Sequence, residues 1–145
     1  MRRRAYEDEL EALNRDILRM GSMVEDAVRA SVEALAVQDL YQAQTVIDND
    51  PVIDGLELGV EQRCVNLLAL QQPMAKDLRL VATAISIVTD LERMGDHAVN
   101  ISEVTMRIGN RPLIKPLIDI PRMAALSQDM IRGSLDAFEI GRAHV

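Results

Sequence analysis

Cys64-Val65-Asn66-Leu67-Leu68-Ala69-Leu70-Gln71-Gln72-Pro73-Met74-Ala75-Lys76-Asp77-Leu78-Arg79-Leu80-Val81 is the stretch on which the fold turns. Upstream of its centre, Ile53, Leu56, Val60, Cys64 and Leu67 recur in steps of three and four, the spacing of one apolar helix face. Downstream, Leu78, Val81, Ile85 and Val88 do the same, in a helix expected to run to about Arg107. Gln71-Gln72-Pro73 interrupts both stripes, because a proline has no amide hydrogen for an interior helical bond. Two amphipathic helices on so short a connection fold back on one another. The centre of the chain therefore reads as a helical hairpin.

Working outward, Leu10, Leu13, Ile17, Met20, Val24, Ala27, Val28, Val32 and Leu35 define a long amphipathic helix, roughly residues 7 to 37. Asp39 is placed to cap a short helix over about Leu40 to Ile47. Asp48-Asn49-Asp50-Pro51 then reads as a break, with Asp50 as the cap of the next helix and Pro51 in its first turn. Gly109 to Pro121 holds Pro112, Pro116 and Pro121 and reads as a linker. The expected fold class is all-α: an antiparallel three-helix bundle over residues 1–108, a linker over 109–121, and a fourth helix over 122–145 ending in an irregular tail from Gly141.

That fourth helix looks like a second beginning. Arg19 to Leu35 aligns with Arg122 to Phe138 at a constant offset, with Arg19/Arg122, Met20/Met123, Asp26/Asp129, Arg29/Arg132, Ser31/Ser134 and Ala34/Ala137 identical. The chain thus reads as one three-helix unit and the opening helix of another. The apolar face of the fourth helix, including Met123, Leu126, Met130 and Leu135, lacks bundle partners of its own. It is expected to pack on the first bundle or to pair with another copy of the chain.

Composition narrows the function classes. The 145 residues suffice for one domain with a real core. Cys64 is the only cysteine, which excludes an internal disulfide framework and fits a reducing, cytoplasmic setting. Three aromatic residues, Tyr6, Tyr41 and Phe138, leave no stacking platform for single-stranded nucleic acid, and a net charge of −7 opposes nucleic acid generally. The apolar runs are too short for a membrane span, so contact with a membrane is peripheral at most. The charge itself is local. Between Ala30 and Gln62 there is no Lys or Arg, while Glu33, Asp39, Asp48, Asp50, Asp54, Glu57 and Glu61 are acidic. The whole excess lies there.

Within this excess, Asp50 and Asp54 are four residues apart on one helix face, as are Glu92 and Asp96 on the next helix. Both cross pairings, Asp50 with Asp96 and Asp54 with Glu92, centre on Pro73. Folding at that turn brings the two pairs level, and Glu57 and Glu61 extend the stripe. Ionised carboxylates so arranged repel, and arginine partners, partial protonation or a bound cation must offset this. An all-oxygen donor set suits hard cations such as magnesium, calcium, manganese or iron. The alternative is a solvated acidic face, with the Asp50 carboxylate occupied by backbone amides. No Glu-x-x-His pair, Gly-rich phosphate loop or nucleophile with a placed base is present, so an enzyme is not expected. His97, beside Asp96, reads as a surface or interface histidine.

Two segments carry a resemblance. Gln71-Gln72-Pro73-Met74-Ala75-Lys76-Asp77-Leu78-Arg79 is similar to the turn between the second and third helices of the PhoU family, bacterial regulators of phosphate uptake. Asp90-Leu91-Glu92-Arg93-Met94-Gly95-Asp96-His97-Ala98-Val99-Asn100-Ile101 resembles that family's acidic third-helix signature. The resemblance implies metal, often iron clusters, held by Glu/Asp-x-x-x-Asp pairs that correspond here to Asp50, Asp54, Glu92 and Asp96; magnesium, manganese and zinc stay open. It also implies contacts with a phosphate-transporter ATPase and a membrane sensor histidine kinase, through which starvation signalling is held off. The chain departs from the family in having one acidic bundle and no second acidic motif.

Overall fold

The computed structural model describes residues 2–70, 75–114 and 118–143. Four helices follow in order: α1 (Arg2–Val37), α2 (Leu40–Leu70), α3 (Ala75–Ile108) and α4 (Asp119–Ala143). The helix class read from the sequence is the one observed. The turn residues Gln71, Gln72 and Pro73 lie outside the described residues, as do Pro116, His144 and Val145.

The helix junctions are built from specific side chains. Gln38 ends α1 in the left-handed region, with φ of 55°, a conformation that costs a non-glycine residue about 1–2 kcal/mol. Its side chain offsets this by donating to the backbone carbonyls of Gly109, at 3.2 Å, and Arg111. One residue thereby ties the α1–α2 turn to the end of α3. Asp39 then caps α2 as expected, its Oδ1 accepting the Gln42 amide at 3.0 Å. Gly109, with φ of 58°, closes α3, and Arg111 folds back to donate to the carbonyls of Ile108 and Arg107.

One expectation fails at Pro51. No break separates Leu40–Ile47 from the following helix; α2 runs through as 31 residues with Pro51 inside it. An interior proline costs about 3 kcal/mol, so something must outweigh it. Ala43, Val46, Ile53, Val60, Cys64 and Leu67 are all buried, and their spacing passes through Pro51 with no slip of phase. Continuing the helix keeps that face on one line against α1 and α3. As a result Asp50 is an interior residue, not a helix cap, and its carboxylate is not held by free backbone amides.

The core lies where α1, α2 and α3 meet. Leu13, Ile17, Met20 and Val24 of α1 are fully buried against Val60, Cys64 and Leu67 of α2 and Val81, Ala84 and Val88 of α3. Arg63, the single cation of α2, reaches across to α1 and pairs with Asp16 at 2.9 Å and Glu9 at 3.4 Å.

α4 begins at Asp119, with Pro121 in its first turn, and continues to Ala143. The irregular tail expected from Gly141 is therefore corrected: Arg142 and Ala143 are good helix formers and carry the helix past the glycine. α4 lies antiparallel to α1. Gln128 donates to the Glu25 carbonyl at 3.1 Å, Arg132 pairs with the Glu25 carboxylate at 3.3 Å, and Leu135 sits against Gly21. Only part of the expected face is buried: Leu135 is, and the three residues grouped with it are not. Ile131, Leu135 and Phe138 pack inward, while Met123, Leu126 and Met130 are 64%, 57% and 72% exposed. Gly21 explains the choice, because its missing side chain leaves the space that Leu135 fills.

Candidate metal centre

The site is set by the register of the α2–α3 hairpin. Gly95 is buried, and a side chain there would come within 3.8 Å of both Asp50 Oδ1 and Ile53 Cγ2. The two helices are thus in close contact at that level, and α3 presents Glu92 and Asp96 on either side of it. The pairing about residue 73 read from the sequence is the pairing that these contacts describe.

Among the described residues, one group of carboxylates converges. Single oxygens of Asp54, Glu57 and Glu92 all lie within 4.8 Å of one another. Oxygens bound to one hard cation at about 2.0–2.6 Å fall within that separation. The group contains two of the four sequence candidates, Asp54 and Glu92. Asp50 and Asp96 flank it: Asp96 shares a hydrogen bond with Glu92, and Asp96 and Asp54 both act on Asp50. Glu57 is the residue that sequence reasoning ranked too low. Its signal was present, since it falls three residues after Asp54 on the same face.

The electrostatics report crowding of like charge. The hydrogen bond to Asp96 is the main reason that the Glu92 carboxyl titrates at about 7 rather than 4.5; burial and the charges of Asp96, Glu57 and Asp54 add to it. Burial raises Asp50, with Asp54 and Asp96 contributing. Burial likewise raises Glu57, helped by Glu61 and Asp54. No cation appears among these influences. Arg63 is engaged with α1, and Arg93 lines a cavity between α3 and α4. Of the three remedies for carboxylate repulsion, arginine is thus not used among the described residues; protonation and a bound cation remain.

Other candidates separate from the site. His97 lines the α3–α4 cavity beside Arg93 and stands apart from the converging carboxylates. Cys64 is buried, and burial, with the charge of Glu61, pushes its thiol up to about 11, which makes it a core residue and a poor nucleophile. No described helix is long and apolar enough to cross a membrane.

Comparison with known proteins gives one consistent answer. The family model described as PhoU domain matches residues 17–105. The phosphate-specific transport system accessory protein PhoU homolog of Clostridium acetobutylicum is 40% identical over 139 residues, covering 95% of this chain and 64% of that protein. Its namesake from Aquifex aeolicus is 38% identical, over 90% of this chain and 59% of the relative. The crystal structure of PhoU from Pseudomonas aeruginosa superposes with a TM-score of 0.87 at 32% identity, covering 92% of this chain and 65% of that one. The phosphate transport system regulatory protein PhoU from Streptococcus pneumoniae gives 0.82 at 32% identity. The chain therefore spans less than two thirds of the length of these relatives.

Proposed function

Because the chain belongs to the PhoU domain family, we propose that it is a non-enzymatic accessory regulator of phosphate uptake, acting in the cytoplasm by contact with a transporter ATPase and a sensor histidine kinase. We further propose that its α2–α3 hairpin holds a hard metal cation. The observation that carries the metal reading is the convergence of Asp54, Glu57 and Glu92 with no basic side chain among the described residues to neutralise them. Asp50 and Asp96 stand beside this group as further oxygen donors or as hydrogen-bonding support. A bound ion would supply positive charge at this level of the hairpin and so lock α2 to α3. Iron, manganese and magnesium all suit the donor set.

A second reading is favoured by the same carboxyls. With Glu92 titrating near 7, protonation alone relieves part of the repulsion, and the hairpin serves as an acidic contact surface without metal. Chelator separates the two, since only the first reading makes partner binding sensitive to it. The functional reading is tested in a strain that lacks its own relative and carries a phosphate-starvation reporter. Expression of this chain should lower the reporter in ample phosphate, and Asp54→Asn/Glu92→Gln should lower it less. A reporter that stays fully induced with the wild-type chain contradicts the regulatory role.

A further inference from the structure

We propose that the space between α3 and α4 binds an anionic amphiphile, a single alkyl chain ending in a carboxylate. Two cavities of about 360 and 390 Å³ lie there side by side. Met94, His97 and Ser127 line both, so the two form one cleft along α3. The first is bounded by α3 and α4 alone, and Arg93, His97, Ser127 and Ser134 bring polar atoms to it. The second reaches the end of α1, where Val32, Leu35, Ile101, Ile120 and Ala124 make its walls apolar. Measured on α3, the cleft extends from the level of Ile87 to that of Ile101, about 21 Å.

The two ends differ in chemistry, and the difference selects the occupant. Arg29, Arg63 and Arg132 are held in ion pairs and Arg111 is folded onto carbonyls of α3, whereas Arg93 forms no ion pair among the described residues. A free guanidinium at the mouth of an apolar cavity suits a carboxylate head, which it can hold with two parallel hydrogen bonds. Asp90 lines the same end. Its charge opposes a doubly charged phosphate monoester and leaves a single carboxylate as the better match. The tail meets methionine. Met94, Met123 and Met130 line the cleft, and their flexible thioether chains can reshape around an alkyl chain. Bound there, the amphiphile bridges α3 and α4.

The cleft is separate from the carboxylate cluster, so its test is run in EDTA. Laurate and dodecyltrimethylammonium, which share a tail length and differ in the charge of the head, are titrated below their micelle concentrations into the wild type, Arg93→Gln and Ser127→Leu. Arg93 is exposed and Ser127 half-buried, and circular dichroism melts check that both variants fold. Laurate should bind the wild type saturably and slow hydrogen exchange in α4, with the cationic amphiphile at least about tenfold weaker. Arg93→Gln, which removes the partner of the head, should weaken laurate about tenfold and leave the cationic amphiphile no weaker. Ser127→Leu, which fills the junction of the two cavities, should weaken laurate about tenfold as well. No saturable laurate binding, equal binding of the two amphiphiles, or laurate binding unchanged in either variant would overturn the cleft. The regulatory reading would survive any of these, because the reporter strain tests it separately.

Discussion

Glu92 concentrates the physics of the site in one side chain. It belongs in register to the exposed face of α3, accepts a neighbour in Asp96 and meets Asp54 and Glu57 across the hairpin. Its carboxyl titrates at about 7 in the fold against 4.5 ordinarily, so its stabilising contribution is complete below about 4.5 and lost as pH rises through about 7. The metal-free protein should accordingly lose melting temperature between about pH 5 and pH 7.5. Glu92→Gln, which cannot ionise, should flatten that slope. Parallel melting curves for the two proteins across this range would show that Glu92 is not crowded as described. Metal affinity should move the other way and strengthen with pH, because the ligating carboxylates must be ionised.

At the scale of elements, α2 and α4 show what sequence patterning resolves and what it does not. The α2–α3 hairpin was legible because two apolar stripes flank one interruption. Pro51 misled because local preference favours a break there, while the decisive term, an unbroken buried line from Ala43 to Leu67, belongs to packing. Pro51→Ala should therefore raise stability, by about 1–3 kcal/mol in denaturant melts, since the helix is already formed through that position. A destabilised variant would contradict a continuous α2. α4 was legible as a helix, but of its inward face only Leu135 was. That face is selected by a vacancy on α1, at Gly21, which has no signature in α4 itself. Gly21→Leu should fill the vacancy, expel Leu135 and cost about 1–3 kcal/mol. Hydrogen exchange should then show loss of protection confined to α4, with α1 to α3 still protected. Uniform loss along the chain would mean that α4 is integral to the bundle rather than docked on it.

The whole molecule explains where its net charge of −7 sits and why. Glu33 is paired with Arg29, Asp39 caps α2, and Asp48 accepts from Gln44. What is left of the acidic stretch, Asp50, Asp54, Glu57 and Glu61, lies on α2 and is carried by the hairpin to Glu92 and Asp96. Arg63, the one cation of α2, is turned toward α1, so among the described residues the hairpin carboxylates have no basic side chain paired with them. The family relationship accounts for the bundle. The most direct test is calorimetric titration of manganese(II), with elemental analysis, on the wild type and on Asp54→Asn/Glu92→Gln. The account predicts stoichiometric, proton-releasing binding to the wild type, its loss in the double variant, and a metal-free double variant at least as stable as the wild type because repulsion is relieved. Equal metal content in the two proteins would contradict it.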